Sequence, residues 1–197
     1  MIHAVGDSHA VATFGEIPSV LTYHVGPVTM HRAGRGDDPL LPAVVSGLVL
    51  QPEDTVIFCF GEIDVRCHVK PQAERQGVTP DTVLRELASR YVERLARLDL
   101  NFAAPAVLAV VPPVPANRAV NPRFPVIGTD TERATYTVAL NRYLVAESLQ
   151  HGVMFVDVYT PYVDWTGMLR TELSDGCVHL RDPAGVRRIL DALELRP

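Results

Sequence analysis

Five short apolar and β-branched runs recur along the chain, at residues 1–5, 20–25, 55–60, 106–111 and 153–158. Most are hydrophobic without alternation, as strands are when helices cover both faces of a parallel sheet. Between them the apolar spacing becomes helical. Thr79-Pro80-Asp81 reads as an N-cap with proline at the first helical position, and Val83, Leu84, Leu87, Tyr91, Leu95 and Leu98 follow at three- and four-residue spacing. Thr129-Asp130-Thr131-Glu132 fits a capping box opening a helix to about Gln150, with Gly152 placed to end it. A last helix starts at Asp182-Pro183, a weaker pattern lies between Pro42 and Leu50, and a short helix is expected after Ser8. The segment from Val65 to Thr79, containing Lys70-Pro71 and Gly77, reads as a long connection serving as a lid or a dimer contact. Strand–helix alternation with right-handed crossovers predicts an α/β three-layer sandwich around a five-stranded parallel sheet, flavodoxin-like in layout.

Composition narrows the possibilities. With 197 residues and 47% hydrophobic content, the chain supports one core, so residues 1–197 are read as a single domain. The formal charge of −5 comes without any basic cluster, which argues against nucleic acid as a partner. No apolar run approaches the ~18 residues of a membrane helix. Met1 leads directly into a strand without a signal-like segment, so a cytoplasmic protein with no membrane partner is expected. Three cysteines, Cys59, Cys67 and Cys177, lack paired spacing, which fits a reducing compartment.

In a parallel sheet of this kind, ligands bind beyond the carboxyl ends of the strands. The chain's chemistry falls there. Ser8, in Val5-Gly6-Asp7-Ser8-His9, sits at the turn out of the first strand, as an exposed nucleophile requires. Gly34-Arg35-Gly36-Asp37 follows the second strand, Gly61 to His68 the third, and Pro112-Pro113-Val114-Pro115 the fourth. After the fifth comes Ser174-Asp175-Gly176-Cys177-Val178-His179-Leu180, where an acid and an imidazole are close enough to converge on one hydroxyl.

This ordered set resembles the SGNH hydrolase superfamily, the GDSL-type esterases and acyltransferases, over nearly the whole chain. Gly6-Asp7-Ser8 matches the first family block, Gly34 or Gly36 the glycine of the second, Gly61-Glu62-Ile63-Asp64 part of the third, and Asp175 to His179 the last with one extra residue. The resemblance implies Ser8 as nucleophile, His179 as its base and Asp175 as the residue orienting that base, with no metal or organic cofactor. It also implies an oxyanion hole including the N–H groups of Ser8 and of Gly34 or Gly36. The family's oxyanion asparagine aligns with Ile63, which has no donor. Such a loss typically costs ~3 kcal/mol, or ~100-fold or more in rate, unless another group substitutes. Arg66 is the first candidate substitute and His68 the second; alternatively Arg66 pairs with Glu62 or Asp64.

Asp7, His9, Glu62, Asp64 and His68 are further candidate substrate contacts, although a turn carboxylate such as Asp64 more simply satisfies nearby N–H groups. Cys67, His68, Cys177 and His179 lack the spacing of a structural zinc site. Cys59 reads as core, and His3, His24, His31 and His151 as structural or solvated. Tyr159, Tyr162 and Trp165 are read as packing under a loop rather than stacking on ligand. The expected partner is a small-molecule or glycan ester, with room for a homo-oligomer. The alternative is a catalytically weakened fold of the same kind that binds a glycan or small molecule, or serves as an interaction module.

Overall fold

A computed structural model describes residues 1–118 and 122–194. Five parallel strands, β1 (Ile2–Gly6), β2 (Val20–His24), β3 (Thr55–Cys59), β4 (Ala104–Leu108) and β5 (Met154–Val156), form one sheet in the order β2-β1-β3-β4-β5. Seven α-helices connect or follow them: α1 (Ser8–Phe14), α2 (Met30–Ala33), α3 (Leu40–Ser46), α4 (Val69–Gln76), α5 (Pro80–Ala96), α6 (Asp130–His151) and α7 (Pro183–Glu194).

Successive side chains of a strand point to opposite faces, and the two cores divide accordingly. Val5, Val56, Phe58 and Val107 face Leu84, Tyr91, Leu95, Leu140 and Leu144 of α5 and α6. Ile2, Ala4, Ile57, Cys59, Ala106 and Leu108 face Ala10 and Phe14 of α1 and Val186 and Leu190 of α7. The result is the expected α/β three-layer sandwich, with both sheet faces covered.

The helix ends follow the predicted chemistry. Thr79 Oγ1 accepts the Thr82 N–H at 3.2 Å. At α6 the Thr129 hydroxyl and the Glu132 carboxylate each accept the other's backbone N–H, and Gly152 closes the helix at φ +67°.

Three expectations are corrected. β4 starts and stops before the predicted 106–111 run ends, because its last residues turn from sheet pairing to a side chain: Asn141 of α6 accepts the Val110 N–H at 2.8 Å and donates to the Val110 carbonyl at 2.9 Å. That clasp fixes the loop at the site end of the sheet. Residues 65–79 are not an open connection: a π-helical turn at Asp64–His68 runs into α4, and Gly77 ends it at φ +66°. Pro71 misled because proline is tolerated where the helical hydrogen-bond pattern changes, here at the passage from the π-helical turn into α4. Trp165 does not pack under its loop but stands 96% exposed on a turn tied by Asp164, whereas Tyr162 is buried as expected.

Candidate active site

β1 delivers the site's first component. Gly6 lies against β3 so closely that a Cβ there would come within 2.3 Å of the Cys59 carbonyl, so only glycine lets β1 pass. Asp7 then caps α1, its carboxylate accepting the His9 N–H at 2.8 Å. Ser8 is thereby placed, exposed, at the first position of α1.

The loop after β5 brings the partners. His179 Nε2 lies 2.9 Å from Ser8 Oγ, and His179 Nδ1 lies 2.6 Å from Asp175 Oδ2. Between Asp175 and His179, Gly176 turns the loop in the left-handed region at φ +88°. Asp175 Oδ1 also accepts the N–H groups of Cys177 at 2.8 Å and of His179 at 3.2 Å. Partial burial pushes the Asp175 pKa up, but the His179 bond and these N–H groups outweigh it and hold the carboxyl below the usual range.

Ser8 and His179 open into a cavity of about 370 Å³, also lined by His9, His24, Pro27, Ile63, Arg66, Arg123, Phe124, Cys177 and Val178. That is room for a small ligand or a short acyl group.

The remaining predicted site residues divide. His9 lines the cavity, is buried, and contacts the Asp7 carboxylate and the Val178 carbonyl. Arg66 also lines the cavity, but its Nε and Nη2 donate to the two Glu62 carboxylate oxygens at 2.6 and 2.9 Å, and its Nη1 donates to the Phe124 carbonyl. Glu62 is therefore spent on a buried ion pair and does not line the Ser8 cavity as a substrate contact. Asp7 is likewise structural, 1% exposed beneath α1.

Gly34, Asp64 and His68 lie elsewhere. They line a second cavity of about 240 Å³ between α2, α4 and α5, together with His31. Asp64 caps α2, accepting the N–H groups of Met30 at 2.6 Å and His31 at 3.1 Å. Burial pushes its pKa up to about 7 against the pull of those bonds. The Gly34 N–H is spent on the Met30 carbonyl at 2.9 Å, so it cannot serve an oxyanion. Gly36 does not line the Ser8 cavity. His68 faces the second cavity, with its pKa lowered by partial burial and by the charges of His31 and Arg66. Among the described residues, no three His, Cys, Asp or Glu side chains are grouped to hold a metal ion.

The sequence reading missed His24, Pro27, Arg123, Phe124, Cys177 and Val178 as cavity walls; Gly26 lies between His24 and Pro27 in sequence without lining the cavity itself. Gly26 follows β2 at φ +82°, and among the described residues neither its N–H nor that of Ser8 has a protein acceptor. The Gly-Pro pair directly after β2 was the available signal.

No protein-family model matches the chain, and no curated protein matches it. Solved structures do. A protein assigned as an SGNH hydrolase from Slackia heliotrinireducens aligns over 98% of this chain and 96% of its own at 15% identity, with a TM-score of 0.55. TesA aligns over 100% and 98% at 16% identity, with a TM-score of 0.54. The OSK domain of Drosophila Oskar aligns over 98% and 88% at 10% identity, with a TM-score of 0.57. The chain has the SGNH hydrolase fold. Function must be argued from the site.

Proposed function

We propose that the protein is a serine-dependent acyl-ester hydrolase or O-acyltransferase acting on a small acylated molecule or glycan ester. The observation that carries this is the unbroken chain from Ser8 Oγ through His179 to Asp175, at 2.9 and 2.6 Å. In that geometry His179 Nε2 takes the hydroxyl proton as Ser8 attacks the acyl carbonyl. Asp175 holds Nδ1–H and stabilises the imidazolium that forms. His179 then returns the proton to the leaving alkoxide, and water or an acceptor alcohol resolves the acyl-enzyme by the same steps reversed.

The developing oxyanion needs donors. The N–H of Ser8 is one; for the second, the N–H of Gly26, without an acceptor among the described residues and next in sequence to the cavity-lining Pro27, is proposed in place of Gly34 or Gly36. Arg66 reinforces them: of its five N–H bonds, the pair with Glu62 and the bond to Phe124 engage three, and the residue lines the cavity. Its fixed charge favours the anion.

Ile63, buried and apolar in the cavity wall, supports a second reading, in which the site binds an acylated ligand without turning it over. A panel of short-chain esters, assayed with water alone and with added alcohol or sugar acceptors, separates the two. Turnover abolished by Ser8→Ala supports catalysis, and the product, free acid or new ester, tells hydrolase from transferase. Ligand binding without turnover by the wild type, unaffected by Ser8→Ala, overturns it.

A further inference from the structure

One buried ring touches both halves of the site. Asp7 immediately precedes Ser8, and Val178 immediately precedes His179; the imidazole of His9 lies between them. Its Nδ1 is 3.0 Å from Asp7 Oδ1, and its Nε2 is 3.3 Å from the Val178 carbonyl oxygen. Both partners are pure acceptors. A neutral imidazole has one N–H and satisfies only one of them, so both contacts are hydrogen bonds only when the ring is doubly protonated.

We propose that His9 is a positioning residue for acyl transfer: as an imidazolium clamped between the Asp7 carboxylate and the Val178 carbonyl, it ties the start of α1 to the loop carrying His179 and so sets the Ser8–His179 distance. The proposal rests on the acyl-transfer reading above and adds a titratable control to the same site.

The surroundings agree. The His9 and His179 rings meet edge to face, with centroids 4.7 Å apart. Asp7 comes from the β1–α1 junction, Glu62 and Arg66 from the segment after β3, Cys59 from the end of β3, His24 from the end of β2, Arg123 from the segment before α6, and Cys177 and His179 from the loop after β5; these are the ionisable groups that line cavities with the ring among the described residues. Asp7 Oδ2 has no partner among the described residues, so the His9 charge is what compensates a buried carboxylate. Burial lowers the His9 pKa, but the charge and bond of Asp7, the charge of Glu62 and the Val178 carbonyl outweigh it and raise it to about 9.

Loss of the proton leaves one N–H, which the closer, charged Asp7 retains, and the Val178 carbonyl is released. The clamp therefore holds below about pH 9 and opens above it.

The test is the rate at which a fluorophosphonate labels Ser8 between pH 6 and 11, corrected for probe hydrolysis, in wild type, His9→Gln and His9→Leu. The wild-type rate should fall as pH rises through about 9. His9→Gln keeps a non-titrating donor toward Val178 but not the charge that answers Asp7, so it should label faster than His9→Leu near neutrality and lack that alkaline fall. His9→Leu should label at least about 10-fold more slowly below pH 9, with the difference narrowing above it as the wild-type clamp opens. Superimposable wild-type and Gln profiles, or a Leu variant as fast as wild type near neutrality, overturn the proposal. Nitrogen-15 histidine spectra of the whole protein give a readout without activity. Both His9 ring nitrogens should carry protons at pH 7.5, and the His179 ring signals should shift as His9 titrates; a neutral His9 tautomer, or an unresponsive His179, overturns the clamp. If wild-type Ser8 is never labelled while these spectral changes appear, the acyl-transfer reading fails and the clamp stands.

Discussion

His179 Nε2 and Ser8 Oγ lie 2.9 Å apart although 171 residues separate them in the chain. The contact depends on the aim of the imidazole, and Asp175 sets that aim through Nδ1. Replacing Asp175 with Asn places an amide against Nδ1 and favours the wrong tautomer. Ser8 acylation should slow by about 10³- to 10⁴-fold, with the thermal midpoint little changed. Stopped-flow labelling with an activated ester measures the first and calorimetry the second.

Gly176 lies between the two loop residues of that chain. At φ +88° an alanine is strained, although its Cβ would meet nothing within 4 Å. Gly176→Ala should thus cost stability only about 1–2 kcal/mol while disturbing the Asp175–His179 bond. The labelling rate should fall by much more than the midpoint suggests, which comparison of the two in one preparation will show.

The Glu62–Arg66 pair is buried on both sides, with side chains 8% and 6% exposed. Breaking it leaves an unpaired buried charge, so Glu62→Gln should destabilise by about 3–5 kcal/mol. Replacing both residues, as in Glu62→Leu with Arg66→Met, should recover much of that loss. Ester turnover should stay low in the double variant, because the cation lining the cavity is gone. Urea unfolding of the two variants, with turnover measured alongside, tests both parts.

Two buried groups make stability depend on pH in the same direction. Asp64 has a folded pKa raised from 3.8 to about 7, so its contribution is complete below 3.8 and lost as pH rises through 7. His9 is raised from 6.5 to about 9, so its contribution is complete below 6.5 and lost as pH rises through 9. Thermal midpoints should decline across both windows. Asp64→Asn should flatten the lower window and His9→Gln the upper one, as a pH series of melts would reveal.

Much of this was readable from sequence where one local rule decides. Ser8 stands where an apolar run ends in a turn, and Asp175 and His179 are close enough in sequence to share a loop; Thr79 and Thr129 cap helices as their patterns state. The errors arose where a local signal had two physical outcomes. Gly34 looked like a loop glycine, but the four-residue α2 consumes its N–H, whereas that of Gly26 has no acceptor among the described residues. Lys70-Pro71 looked like a break, yet the π-helical turn before it runs on into α4. For Arg66 the sequence left pairing with Glu62 or Asp64 open beside the oxyanion role, and the helical course of this segment shows that Glu62 is the partner. The His9 bridge was invisible because Val178 is 169 residues away.

The central claim is that Ser8 is a nucleophile activated by His179. Intact-mass analysis after exposure to a fluorophosphonate, with peptide mapping, tests it directly. A single adduct on Ser8, absent in a folded His179→Ala variant, is the predicted result. No adduct under conditions that label an ordinary serine esterase, or equal labelling in His179→Ala, would contradict it.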